Sequence, residues 1–193
     1  GVRIMLLLPE ISVFFFSVVF LFYSISGNKD KVVSAGKLLS LLVLLLTGIG
    51  ITQSGELFSG AYRIDLFSQV FKVLLALGLC LLTLMFDKNK EIEDEFLPEY
   101  FMFFGFSTLG LMMLSSSIEL ISIVISLELS SYSLYVIVPL RKLHKKVQVE
   151  AAMKYLFFGA ISTGVMLFGM SYLYGIAHST FLPDIVKAVP KFE

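Results

Sequence analysis

Residues 118–140 read IELISIVISLELSSYSLYVIVPL, and this stretch decides the fold. Its apolar residues run on without the strict alternation of a membrane β-strand, which would repeat over about 10 residues. About 20 helical residues, rising about 1.5 Å each, cross about 30 Å of hydrocarbon, so the run is long enough to span a bilayer. Hydrocarbon offers the backbone no water, and a helix answers this by pairing every N–H and C=O along its own axis.

Working outward, five more runs fit the same description. The spans are expected at about 4–25, 33–52, 66–86, 97–115, 118–139 and 149–175. Composition agrees: hydrophobic residues are 57% of 193, charged residues 16%, and mean hydropathy is +0.89. A soluble domain of this size needs more polar surface. The fold class is therefore all-α, a polytopic transmembrane helix bundle of about six spans. Residues 1–96 hold three spans and an acidic loop, 97–175 hold the fourth to sixth, and 176–193, with Pro183 and Pro190, form a surface tail. The first run exceeds the apolar core of a signal peptide and no small-residue cleavage site follows it, so it reads as a retained span.

The connections are polar. Gln53 to Asp65 contains Glu56 and Arg63, DKNKEIEDE (87–95) is a solvated loop, and RKLHKK (141–146) is basic. With six alternating spans, one side carries Lys29, Lys31, Lys37, Lys88, Lys90, Arg141, Lys142, Lys145 and Lys146. The other carries Arg3, Arg63, Lys187 and Lys191. The rule that positive loops stay inside places the N-terminus and the tail outside.

Several function classes drop out. With 15 basic and 15 acidic residues the chain has no overall field to attract nucleic acid. Cys80 is the single cysteine and reads as a small apolar filler. His144 and His178 have no ligands at metal spacing, so no metal is assigned. The glycine pairs Gly48/Gly50 and Gly105/Gly110 form no phosphate loop or dinucleotide fingerprint, and no nucleophile–base–acid set is present. Bond chemistry within this chain is not expected.

Chemistry must then come from ionisable groups inside spans, where a charge costs about 2.5–3.5 kcal/mol on insertion scales and so faces protein or water. Glu128 lies near the middle of the fifth span, with Ser131, Tyr132 and Tyr135 on its helical face. Hydroxyls beside a buried carboxyl hold water and suit a proton relay; the alternative is a protonated packing residue. Lys154, one or two turns into the sixth span, suits a relay equally well as a pair with Glu150 four residues earlier. Lys72 and Glu119 are expected to snorkel to the interface. Glu10, after Pro9, sits where the first span could begin later.

From about Ile64 onward the features become specific. The run ELSSYSLYVIVPLRK (Glu128 to Lys142), then VEAAMKYLFFGAISTGVMLFGMSYLYG (Val149 to Gly175), resembles subunit N of the proton-pumping NADH:quinone oxidoreductase, respiratory complex I. RIDLFSQVF and LGLMMLSSSIELISIVISLE fit the same family, so the resemblance covers roughly 64–175. It implies the N-terminal part of an antiporter-like module without a cofactor of its own. Quinone, flavin and iron–sulfur clusters would sit elsewhere in the complex. The family's functional carboxylate matches Glu128, and the Lys of its EA-x-x-KY motif matches Lys154. The family often has a Pro after the Glu, where this chain has Ser131-Tyr132-Ser133-Leu134-Tyr135. Its central lysines on later helices have no counterpart here. The resemblance further implies other membrane subunits as partners, the lipid bilayer as setting, and the bacterial inner membrane as location. A cation/proton antiporter subunit of the same superfamily, or a scaffold in which Glu128 and Lys154 fix helix register, are the other readings.

Overall fold

The computed structural model describes residues 2–27, 31–86, 92–141 and 145–189. Among them, six helices are long and apolar enough to cross a membrane, and the chain is an integral membrane protein. The first apolar run divides into α1 (Val2–Leu6) and α2 (Leu8–Ser26). Pro9 opens α2, where its missing N–H costs nothing. Gly27 ends α2 at φ +67°, a left-handed cap that glycine takes without strain. The next spans are α3 (Val32–Ile49) and α4 (Leu66–Met85). Asp65 caps α4 by accepting the Ser68 N–H at 2.8 Å, while the Ser68 hydroxyl accepts the Asp65 N–H at 3.0 Å. Then come α5 (Leu97–Ser116), α6 (Leu120–Ile137), α7 (Lys145–Ala177) and a short α8 (Leu182–Ala188). Helix α6 runs unbroken past Glu128, as its lack of an internal proline allows. The reading of 87–91, 142–144 and 190–193, including His144, concerns residues outside those described.

Between α3 and α4 the polar connection forms a β-hairpin, β1 (Gly55–Leu57) against β2 (Tyr62–Ile64). Glu56 faces Arg63 across it, with Nε–Oε1 at 3.3 Å, an exposed pair. Leu57, Tyr62 and Ile64 point inward and pack with Leu6 over the end of the bundle. Strands of three residues are too short to show a period of two in the sequence. Tyr62 also bridges to Ser117, and Glu119 to Phe181, so the hairpin, the start of α6 and the tail share one end. Ile92 bridges to Arg141 at the other. This grouping is the one that six alternating spans require.

Helix α5 is the hub, packing against α2, α4 and α6. Glycines permit the approach. A Cβ on Gly105 would lie 2.2 Å from the Ser17 hydroxyl, and one on Gly110 would lie 2.6 Å from the Ser130 N and 2.7 Å from the Ser126 carbonyl. The Ser107 and Ser130 hydroxyls meet at 3.0 Å in that seam. Helix α7 is different: none of residues 148–177 is buried within this chain.

Because Gly110 abuts backbone, which cannot swing aside, Gly110→Ala should destabilise the bundle by about 1–3 kcal/mol. Gly78, with nothing within 4 Å of its would-be Cβ, should accept alanine with unchanged or higher stability. Thermal midpoints in detergent compare the two, and equal losses would contradict the close α5–α6 seam.

Candidate functional site

Glu128 stands near the middle of α6, half-buried against α7. Its Oε1 accepts a 2.6 Å hydrogen bond from the Thr163 hydroxyl, which turns one way to Glu128 and lies 3.0 Å from the Gly159 carbonyl on its own helix. Gly159 is what lets the helices meet. A Cβ there would fall 1.7 Å from the Tyr135 hydroxyl oxygen. Glu128, Ser131 and Tyr135 from α6, with Tyr155, Ser162 and Thr163 from α7, line an open groove of about 340 Å³. Tyr135 and Tyr155 meet edge to face at 4.7 Å. The hydroxyls expected beside Glu128 are thus present at Ser131 and Tyr135, whereas the Tyr132 side chain points outward and touches only the Tyr135 ring in this group. A carboxylate with one oxygen bonded and a hydroxyl-lined groove before it can bind a proton and exchange it with water.

Lys154 lies elsewhere. Its side chain is 66% exposed and its ammonium pairs with the Glu150 carboxylate one turn earlier. Nine residues separate it from Thr163, about 13.5 Å along the helix, so it is not gathered with Glu128. Of the two residues singled out in the sequence, the fold brings Glu128 to a polar groove and leaves Lys154 paired locally.

Two expectations are corrected. Glu119 does not snorkel; it is buried and caps α6, accepting the Ser122 N–H at 2.9 Å and its hydroxyl at 3.0 Å. Burial is the largest influence on its carboxyl and pushes its pKa up. Hydrogen bonds from Thr180, from Ser122 and from the Ile121 backbone outweigh that, and hold it below the usual carboxylate range. Lys72 does not snorkel either. It is 0% exposed, and its Nζ lies 2.6 Å from Oε1 of Glu10, itself 7% exposed. The Tyr62 hydroxyl donates to the same oxygen at 2.5 Å, and the ammonium sits 5.3 Å from the centre of the Tyr62 ring. Linear reading missed this cluster because its members lie near helix ends, where snorkelling is the simpler outcome; the hairpin, which lowers Tyr62 over them, buries them instead. Among the described residues no group of three His, Cys, Asp or Glu could hold a metal.

Residues 117–193 match the family described as "NADH:quinone oxidoreductase/Mrp antiporter, TM". A protein named NADH-quinone oxidoreductase subunit N 2 from Opitutus terrae is 43% identical over 150 residues, 77% of this chain and 31% of that protein. One of the same name from Solidesulfovibrio magneticus is 40% identical over 179 residues, 93% of this chain and 38% of that protein. The chain thus spans about a third of the length of these relatives. Among solved structures, respiratory complex I from Thermus thermophilus with bound aureothin superposes with TM-score 0.74 at 24% identity, over 90% of this chain and 38% of that one. An archaeal respiratory membrane complex, the membrane-bound sulfane sulfur reductase, gives TM-score 0.72 at 18% identity, over 95% and 39%. At these identities the superpositions establish the fold alone.

The low-lying carboxyl of Glu119 carries a pH dependence. A group whose folded pKa is depressed adds stability above its unfolded value and loses it as pH falls through the folded one. Acidification below about pH 4.5 should therefore loosen the start of α6 and its bridge to Phe181. Glu119→Ala should cost about 1 kcal/mol at neutral pH and flatten that acid dependence. Unfolding measured against pH in both proteins checks this; parallel curves would refute the cap.

Proposed function

We propose that this chain, similar over most of its length to subunit N of NADH-quinone oxidoreductase, is a proton-translocating membrane subunit of such a complex. The observation that carries the proposal is the Glu128 carboxylate, held in mid-span by Thr163 and facing a groove lined with hydroxyls. In this reading Glu128 takes up and releases a proton as charge rearranges along the membrane arm. Moving a proton outward works against about 2.3 kcal/mol per 100 mV, so the drive comes from redox chemistry in partner subunits. Quinone, flavin and iron–sulfur centres belong to those partners. The span from residue 97 onward opens the antiporter-like module, and the three spans before it flank that module.

Lys154 has a more peripheral role in this account. Exposed and tied to Glu150, it stands near the basic end of α7, where it passes protons toward or away from the groove or steers charge in neighbouring subunits. The whole is set in a bacterial inner membrane, with the N-terminus and the tail on the outer side, as the lysine and arginine count directs. The open face of α7 is consistent with neighbouring protein. A second reading is favoured by one finding: residues 117–193 match a family that also includes Mrp antiporters, so a cation/proton antiporter subunit without redox partners fits the same groove.

Glu128→Gln keeps the hydrogen-bond acceptor for Thr163 but cannot carry a proton. In the complete complex reconstituted in vesicles it should lower proton pumping strongly while assembly stays normal. Unchanged pumping with normal assembly would refute the role. Co-purification with iron–sulfur, quinone-reducing subunits supports the complex; sodium-dependent pH changes in vesicles without them support the antiporter.

A further inference from the structure

A second cluster of ionisable groups lies under the hairpin, away from the Glu128 groove. Glu10 on α2, Lys72 on α4 and Tyr62 on β2 meet at a single carboxylate oxygen, Oε1 of Glu10. The other oxygen, Oε2, is buried and has no hydrogen-bond partner among the described residues. The Lys72 ammonium is at ion-pair distance from Oε1 but not in hydrogen-bond alignment, so its donors are open as well. The buried Oε1 of Gln69, one turn before Lys72 on α4, is also unpaired. Buried polar atoms are normally satisfied, and unsatisfied ones point to water or to exchange chemistry. Room for water is at hand. A cavity of about 320 Å³ is lined by Glu10, Tyr62, Met113, Ser117, Ser122 and Ser126. Leu7, Phe58 and Ile125 make most of its wall apolar, and a buried water needs two to four polar partners, so water is held where the carboxylate and the phenol meet the serine hydroxyls.

A purely structural ion pair would be closed on both partners, because taking two charges out of water is repaid only when their remaining hydrogen-bonding capacity is met. Here Oε1 takes both partners, Oε2 is buried and unpaired among the described residues, and Glu10 borders the cavity. We propose that Glu10, held by Lys72 and Tyr62, is a second proton-exchange site of this chain, loaded through water in the cavity beneath the hairpin. This rests on the proton-translocating reading above. The step is simple: a hydronium in the cavity gives its proton to Glu10, leaving water and a carboxylic acid, and the reverse step returns it. Neither Lys72 nor Tyr62 takes part in the proton exchange; they hold the carboxylate in place. Burial, then the Glu10 charge and the hydrogen bond to it, push the Tyr62 phenol well above its ordinary range, so it acts as a donor only. The groups facing Glu10 are Lys72 from α4 and Tyr62 from β2; the cavity walls from α5 and α6 carry hydroxyls and apolar side chains without charge.

The double variant Glu10→Gln/Lys72→Met tests this in the complete complex, because removing both charges avoids stranding either one in the bilayer. It should assemble normally yet pump fewer protons per electron, by several-fold. Tyr62→Phe withdraws one hydrogen bond from the ionised carboxylate and should move the pH profile of pumping toward higher pH. If the double variant fails to assemble, Tyr62→Phe alone decides. Normal pumping in the double variant, or an unmoved pH profile in an assembled Tyr62→Phe complex, overturns the proposal and leaves a structural pair. Glu128→Gln measured alongside separates the two ideas: reduced pumping there with an unaltered double variant removes only the second site. Unaltered pumping in Glu128→Gln removes the reading on which it rests.

Discussion

A peptide group, a carboxylate or an ammonium inside hydrocarbon has no bulk water to turn to, and most such groups in this chain find a partner within the protein. This constraint explains the helices first, since they satisfy their backbones internally. It also explains where the polar side chains go. Ser40 meets Thr83 at 2.6 Å between α3 and α4, Ser107 meets Ser130 between α5 and α6, and Ser24 donates to Glu99 at 2.5 Å between α2 and α5. Each contact ties two spans together without the hydrophobic drive that water would supply. Among the described residues, buried carboxylate oxygens are left unpaired on Glu10 and Glu99, and Glu128 faces an open groove.

The surroundings of Glu10 and Glu128 differ in kind. Glu10 is fixed by a cation and a phenol and closed off by a hairpin. Glu128 is fixed by one hydroxyl across a glycine-thinned contact and faces an open groove. Helix α7, which supplies that hydroxyl, is loosely held within this chain and offers Phe157, Phe158, Ile161, Val165 and Phe168 to its surroundings. Small changes in how α7 packs would therefore move Thr163 relative to Glu128, which is where coupling enters in the proposed reading. Glu10, between α2, α4 and β2, has no such freedom.

Much of the fold was legible in residues 1–193 because continuous apolar runs about 20 long admit one solution. The spans lie within a few residues of their expected positions, and Glu128 stands where a mid-span carboxylate was read. What escaped has identifiable causes. The hairpin strands are three residues each, below the length at which alternation can be seen. Lys72 and Glu119 lie near helix ends, where sequence spacing cannot tell a snorkelling side chain from one roofed over by a distant segment. Lys154 is the reverse case: the motif that drew attention to it says nothing of which way it faces, and its Glu150 partner, already visible at four residues' spacing, is the one it takes. Sequence periodicity reports a residue's depth and face, and the partners come from the tertiary fold.

The account turns on whether the Glu128 carboxyl changes its protonation within the membrane. Infrared difference spectra of the complete complex in lipid, recorded between resting and turning-over states, report carboxyl groups directly. A protonated-carboxyl band that appears or vanishes on turnover, is lost in Glu128→Gln and shifts in Thr163→Val is the predicted result. A Glu128 carboxyl that keeps one protonation state throughout turnover would contradict it.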